Sequence, residues 1–159
     1  MLSPLELKRT FLEALEIRPG PVRDPSVQIT EDYKVQLTTE VMQKPDSRDY
    51  RVTVDFRLSP KKDAVCRFDR LEIRLAGYFS LPADTEEELV TRLIPLNCFV
   101  ILYGIARGIV AQATGMVAKG SFMLPAVNFI EYYGKQKRKE ARQAKASQVE
   151  IQESPLMQS

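Results

Sequence analysis

Histidine is absent from the 159 residues. That removes the commonest general base, the Ser–His and Cys–His nucleophilic pairs, and nearly every zinc or iron site. Cys66 and Cys98 are the only cysteines, each inside an apolar run. Such a pair predicts buried, reduced thiols in a cytosolic protein rather than a disulfide scaffold. Tryptophan is missing, as are a Gly-rich phosphate loop, a Walker lysine motif and a GxSxG elbow. The carboxylates offer no catalytic pair. Glu86, Glu87 and Glu88 read as helix-start charges, and Glu72 sits between Arg70 and Arg74 on the polar phase of a strand, where a solvated ion pair is expected. An enzyme is therefore not expected, nor a metal or cofactor. The opening residues lack a secretory signal pattern, which again predicts a cytoplasmic protein.

Charge of one sign is also missing overall: 23 basic and 21 acidic side chains leave a net +2, which argues against a general polyanion binder. The balance is uneven along the chain. Residues 1–134 hold 17 basic and 18 acidic groups, whereas residues 135–159 hold 6 and 3. We divide the chain accordingly into a folded domain, 1–134, and a basic tail, 135–159. The tail begins as a helix-like stretch and ends, over its last dozen residues, without periodicity and with an expectation of disorder. Its cations, Lys135, Lys137, Arg138, Lys139, Arg142 and Lys145, lack interleaved aromatics. A solvated tail is the simpler reading, and nucleic-acid binding through it is the rival.

Hydrophobic patterning fills in the domain. The opening carries two signals: Ser3-Pro4-Leu5-Glu6 resembles a helix capping box, yet Leu5, Leu7, Phe11, Leu15 and Ile17 alternate, with Arg9 and Glu13 as exceptions. A loop with three prolines follows over residues 18–30. Tyr33, Val35, Leu37, Thr39 and Val41 alternate, then Tyr50, Val52, Val54, Phe56 and Leu58, with a turn at Lys44-Pro45-Asp46-Ser47 between them. A further strand is expected over residues 64–76, with a phase switch near Asp69-Arg70 that indicates a bulge. Short connections make this an antiparallel meander. Helices close the domain. One starts at the capping box Thr85–Glu88 and is expected to break at Pro95; a second runs to about Lys119, before Gly120; a last one opens at the capping box Asn128-Phe129-Ile130-Glu131.

The stretch from Ile94 to Ala118 is long enough to span a bilayer, about 20 residues. Arg107 at its middle and the preceding strands favour a buried helix of a soluble domain. Gly104, Gly108 and Gly115, with Ala111, lie along this helix. They admit two readings: close approach of a second helix or subunit, or passage beneath the chain's own sheet. Because the helix is apolar nearly all round, it needs cover on more than one side, which favours oligomerisation. Phe122, Met123, Phe129, Tyr132 and Tyr133 cluster after it, either as core or as the lining of a groove.

These residues also carry a resemblance. Gly77-Tyr78-Phe79-Ser80, then LYGIARGIVAQATGMVAKGSF, then LPAVNFIEYY, resemble the SecB-type protein-export chaperones. Tyr103, Ala106 and Arg107 match the family's helix motif, Gly120 and Phe122 its turn, and Val127, Asn128 and Phe129 its last motif. The resemblance covers roughly residues 5–134. It implies an α+β fold: a four-stranded antiparallel sheet packed on a long helix, with a further C-terminal helix, assembled as a dimer of dimers. It makes the opening segment, 5–18, a strand. It implies an ATP-independent holdase that keeps unfolded, export-competent polypeptides in hydrophobic grooves. Tyr33, Phe122, Met123, Phe129, Tyr132 and Tyr133 are then the expected client contacts, and Gly104, Gly108, Ala111 and Gly115 the oligomer interface. The resemblance implies docking of the basic tail of the SecA motor on an acidic and apolar outer sheet face, of which Glu72 is kept. Ala14 and Arg18 replace carboxylates, Arg70 replaces an apolar residue, Gly104 and Gly108 replace a proline and a glutamate, and the tail is basic where the family's is acidic. Those departures raise a second implied role, a SecB-like chaperone serving another partner, such as an antitoxin.

Overall fold

A computed structural model describes residues 3–21, 33–118 and 120–152, the last seven by backbone alone. The chain forms two compact units, Met1–Pro125 and Ala126–Ser159. The first holds strands β1 (Glu6–Pro19), β2 (Tyr33–Gln43), β3 (Asp49–Pro60) and β4 (Phe68–Ser80). They make one antiparallel sheet in the order β1-β4-β3-β2. This is the expected architecture. The proline-rich segment lies mostly outside the described residues, as do Lys119 and residues 153–159.

The alternation seen in the sequence sets the two faces of the sheet. Tyr50, Val52, Val54, Phe56 and Leu58 of β3 and Leu71, Ile73, Leu75 and Phe79 of β4 are all buried on one face. Each such side chain, fully buried, contributes roughly 1.5–3 kcal/mol. The opening segment is strand: Ser3 Oγ does accept the Leu5 amide, at 3.2 Å, but β1 then pairs along β4. The two exceptions to its alternation have a structural cause. Pairing slips between Leu7 and Arg9 and again between Leu12 and Ala14, so Lys8 and Glu13 are extra residues in bulges. A third slip pairs Arg18 with Arg70 but Pro19 with Phe68, leaving Asp69 as the bulge residue expected there. The strand itself starts and ends later than the expected 64–76, because Cys66 belongs to the approach to β4. In the turns, Asp46 and Asp63 adopt positive φ, which a short polar side chain tolerates.

Helix α1 (Glu87–Leu93) passes through a π-helical turn, Ile94–Cys98, into α2 (Phe99–Gly115). Pro95 therefore does not break the helix as expected. A wider turn accommodates a residue with no amide hydrogen, and the axis runs on. The expected capping box at Thr85–Glu88 does not form either. Glu86 occupies the cap position without a side-chain bond, and Glu87 instead pairs with Arg48 at 2.8 Å. Helix α2 ends at Gly115, short of the expected end; Gly120, at φ +81°, serves the turn beyond.

From Glu87 to Gly115 the helix is 29 residues long, apolar enough to cross a membrane by length and composition. It is a core helix here: Phe99, Leu102, Tyr103, Ala106 and Val110 are buried against β3 and β4. Two glycines make close approaches, Gly77 to this helix and Gly20 to the segment before β4. A Cβ on Gly77 of β4 would lie 2.7 Å from Leu102 Cδ2, and one on Gly20 would lie 2.2 Å from the Cys66 carbonyl oxygen. Arg107, the charge at mid-helix, donates from Nε to the Leu124 carbonyl at 3.0 Å, and the Tyr103 hydroxyl donates to the Pro125 carbonyl at 2.8 Å.

The second unit contains α3 (Phe129–Gln152). Asn128 caps it, Oδ1 accepting the Glu131 amide at 3.3 Å. Gly134 is carried through, and the helix continues well into the basic stretch.

Candidate binding surfaces

The six expected client contacts do not share one environment. Tyr33 and Phe122 are 4% and 1% exposed, in the core of the first unit. Phe122 stacks edge-on against Phe68 (5.4 Å between centroids) and Tyr33 (6.5 Å). The buried Arg67 guanidinium lies over the Phe68 and Phe122 rings at 5.4 and 5.5 Å. The Tyr33 hydroxyl accepts the Phe68 amide at 3.0 Å, and burial raises its pKa. These two rings tie the ends of β2 and β4 to the segment after α2, so in the protomer they are core and offer no surface to a client. Met123, by contrast, is exposed. In the second unit Phe129 is buried too, at 5% exposed, and is not the client contact expected; it meets Tyr132 edge-on at 6.1 Å, and Lys137 Nζ lies 4.9 Å from the Tyr133 ring centre.

The exposed apolar surface of the first unit lies elsewhere. A helix with its side chains is about 10–12 Å across, and strands are about 4.8 Å apart. One helix therefore covers two strands of a four-stranded sheet, and α2 lies on β3 and β4. The flanking strands keep bare strips on the same face. On β1, Leu12 (48% exposed) and Leu15 stand opposite Leu75 and Ile73. On β2, Val35 (46% exposed) and Val41 stand opposite Leu58 and Val52. The alternation of β1 and β2 showed Leu15, Val35 and Val41 as inward-facing. It placed Phe11, not Leu12, in that row; the Lys8 bulge shifts β1 by one residue, turning Leu12 inward and Phe11 outward.

The glycine stripe of α2 faces away from the sheet. A Cβ on Gly104, Gly108 or Gly115 would meet nothing within 4 Å. Passage beneath the chain's own sheet thus does not account for them; that close approach is made at Gly77. Exposed Val100, Ile101 and Met116 border the stripe, and Ala111 is half-buried.

Much of the outer face of the sheet carries a ladder of ion pairs. Arg18 pairs with Glu16, Glu16 with Arg70, Arg70 with Glu72, Glu72 with Arg57, and Arg57 with Asp55, all at 2.7–3.1 Å. From Asp55 the chain of charges reaches Arg74 at 3.9 Å; Glu13 then joins Arg74 to Arg51. Glu40 sits 4.0 Å from Arg74. Five arginines thus meet five carboxylates across four strands, so the ladder itself carries no net charge. Glu72, the residue expected at a motor-docking site, is gripped by two arginines. Its pKa is lowered chiefly by the Arg70 hydrogen bond, and its side chain is only 13% exposed.

Among the described residues no His/Cys/Asp/Glu group could hold a metal ion. What the fold presents is bare apolar strips beside a core helix and, on the other face, a ladder of ion pairs: the geometry of an α+β binding protein. Residues 21–140 match the family described as preprotein translocase subunit SecB, and the chain belongs to the SecB family. Among solved structures it is similar to the Rv1957 SecB-like chaperone of Mycobacterium tuberculosis, determined with a ChAD peptide from the Rv1956 HigA1 antitoxin. That likeness has a TM-score of 0.59 and 16% identity, covering 78% of this chain and 91% of that one. A protein of unknown function from Streptococcus agalactiae matches at TM-score 0.44 and 9% identity, over 77% of this chain and 97% of that one. Comparison with the curated proteins gives no match.

Proposed function

We propose that this protein is an ATP-independent, cytoplasmic holdase that binds unfolded polypeptide segments through apolar surface and keeps them from aggregating. The observation that carries the reading is the pair of bare strips beside α2, Leu12 and Leu15 on one side and Val35 and Val41 on the other, in a member of the SecB family. Apolar burial at about 25 cal/mol per Å² places little sequence demand on a client. Backbone pairing along the open edges of β1 and β2 adds to it. Met123 in the first unit adds an exposed apolar contact for a client, and Tyr132 and Tyr133 offer client contacts in the second. The stripe Gly104, Gly108, Ala111 and Gly115 forms the contact between protomers, in a dimer that pairs into a tetramer. Protein export is the role that the family description favours.

The test is aggregation of a chemically unfolded client with and without the protein. Suppression at stoichiometric amounts, reduced by Leu12→Ser with Val35→Ser, is expected; no suppression refutes the reading.

A second reading, a SecB-like chaperone for a dedicated partner such as an antitoxin, is favoured by the mycobacterial neighbour, whose structure holds an antitoxin peptide. Pull-down against the products of neighbouring genes separates it from the export role.

A further inference from the structure

One end of the outer sheet face escapes the arginine–carboxylate ladder. Arg9, Tyr78, Arg51 and Met42 stand directly opposite one another on β1, β4, β3 and β2, a single row across the whole sheet. The Lys8 bulge lies beside this row. A cleft of about 550 Å³ opens there between Lys8, Met42, Lys44, Arg51 and Tyr78; a second, of about 380 Å³, lies between Lys8, Arg9, Phe11 and Tyr78. They share Lys8 and Tyr78 and so form one trough. Its floor is apolar and exposed: Phe11 and Tyr78 meet edge-on at 5.8 Å, and Met42 is more than half exposed.

The charge of the trough is one-sided. Arg51 is committed to Glu13, and Lys8 pairs with Glu6 at 2.5 Å. Arg9 and Lys44, one at each end, have no ion-pair partner among the described residues. Asp49 is the one carboxylate in the lining. The two cations without an ion-pair partner outnumber the single carboxylate here, so the surplus charge of the trough is positive.

We propose that this trough binds an extended acidic peptide segment, one aromatic or long aliphatic side chain seated against Phe11 and Tyr78 and flanking carboxylates on Arg9 and Lys44. Four strands span about 15 Å, the length of roughly five extended residues. A single-stranded nucleic acid suits the trough less well. The Phe11 and Tyr78 rings are locked edge to face and present no pair of open platforms for stacking bases. The proposal rests on the reading of the protein as a peptide-binding chaperone and gives it a second site, on the face opposite the client strips and of opposite electrostatic preference to a basic motor tail.

The experiment uses the full-length protein and labelled short peptides: one with a central Phe flanked by Asp and Glu, one with the same Phe flanked by Lys, one with the same acids around Ser. Binding is followed by fluorescence anisotropy, with an oligothymidylate as competitor. The acidic Phe peptide should bind best, weakening with salt. Arg9→Glu with Lys44→Glu should weaken it about tenfold, and Tyr78→Ala at least about fivefold. Lys62→Glu, in a turn at a distance, should leave it unchanged. Equal binding of the Lys-flanked peptide, indifference to the double reversal, or complete displacement by the oligonucleotide at lower concentration overturns the proposal. Client aggregation is measured on the same variants. Suppression that survives the double reversal while peptide binding falls supports two separate sites. Loss of both together means one shared site and overturns this one. If no client is held but the acidic peptide binds as described, the holdase reading fails and the trough stands.

Discussion

The Thr114 hydroxyl accepts a hydrogen bond from the Phe122 amide at 2.8 Å while it donates to the Val110 carbonyl, one turn back in α2, at 2.6 Å. Both residues are buried. One oxygen thus satisfies the amide that brings the segment after α2 back into the core, and with it the Phe122 ring that closes over Phe68 and Tyr33. Replacing Thr114 by Val keeps the shape and removes the acceptor. A buried amide left unpaired costs about 1–3 kcal/mol, so Thr114→Val should lower the unfolding free energy from urea titration by that amount, and Thr114→Ser should lower it less. Equal midpoints for Val and wild type would show that the amide finds another partner.

The glycines divide into two groups with opposite expected behaviour. Gly104→Ala and Gly108→Ala place a methyl in open space and gain helix propensity, so each should leave the protomer as stable or up to about 1 kcal/mol more so. Gly108→Leu should lower the association state seen by sedimentation without unfolding the protein. Gly77→Ala is the contrast. Its methyl meets Leu102 Cδ2 at 2.7 Å and Phe79 Cε2 at 2.8 Å, an overpacking that costs about 1–3 kcal/mol. Destabilisation by Gly104→Ala in an otherwise monomeric protein would remove the case for a contact there.

The period-2 alternation of β2 and β3 made the strands legible, because one face of each is apolar and a one-residue slip would expose it. The bulges of β1 and β4 were legible as errors in alternation, at Glu13 and near Asp69. Pro95 misled: a π turn and a helix break look alike when the only signal is a missing amide donor. Tyr33 and Phe122 misled for another reason. An aromatic that lines a groove and one that closes a core have the same spacing, and only the Phe68 and Arg67 contacts separate them. The outer-face ladder was hidden in part because its pairs join residues as far apart as Glu13 and Arg74.

Both thiols are buried, so neither should react with a thiol reagent until the protein unfolds. Burial pushes the Cys98 thiol up to about 12 from an ordinary 9.0, and the Tyr103 hydroxyl up to about 12 from 10.0. Groups whose pKa is raised by folding keep their protons in the native state while the unfolded chain releases them. Their stabilising effect is whole below pH 9 and declines as pH rises toward 12. Each contributes a slope of up to about 1.4 kcal/mol per pH unit within its window. Urea midpoints measured from pH 8 to 11 should fall, and Cys98→Ala should make the fall shallower from pH 9 upward. A slope unchanged by that variant would show that Cys98 does not titrate on unfolding.

Glu72 bears on whether a SecA tail would dock on this face. Its Oε2 accepts from Arg70 at 2.7 Å and its Oε1 lies 3.1 Å from Arg57 Nε. A basic tail arriving at this carboxylate must displace two arginines already seated on it, and it meets a ladder with no surplus negative charge. We therefore expect calorimetry with the SecA tail of the same organism to show weak binding or none. The stability effect runs the other way. Because the Glu72 pKa is depressed, its contribution is present above the ordinary carboxylate value of 4.5 and is lost as pH falls below it. Glu72→Gln should thus lower stability at pH 7 and flatten the acid limb of the pH profile, while leaving the weak response to the tail unchanged. Tight, salt-sensitive tail binding abolished by Glu72→Lys is the result that would restore the ordinary export partner to this face. It would mean that Arg57 and Arg70 yield the carboxylate to a competitor, something exposed ion pairs of about 0–1 kcal/mol each do singly but a ladder linked through five strand-borne arginines resists.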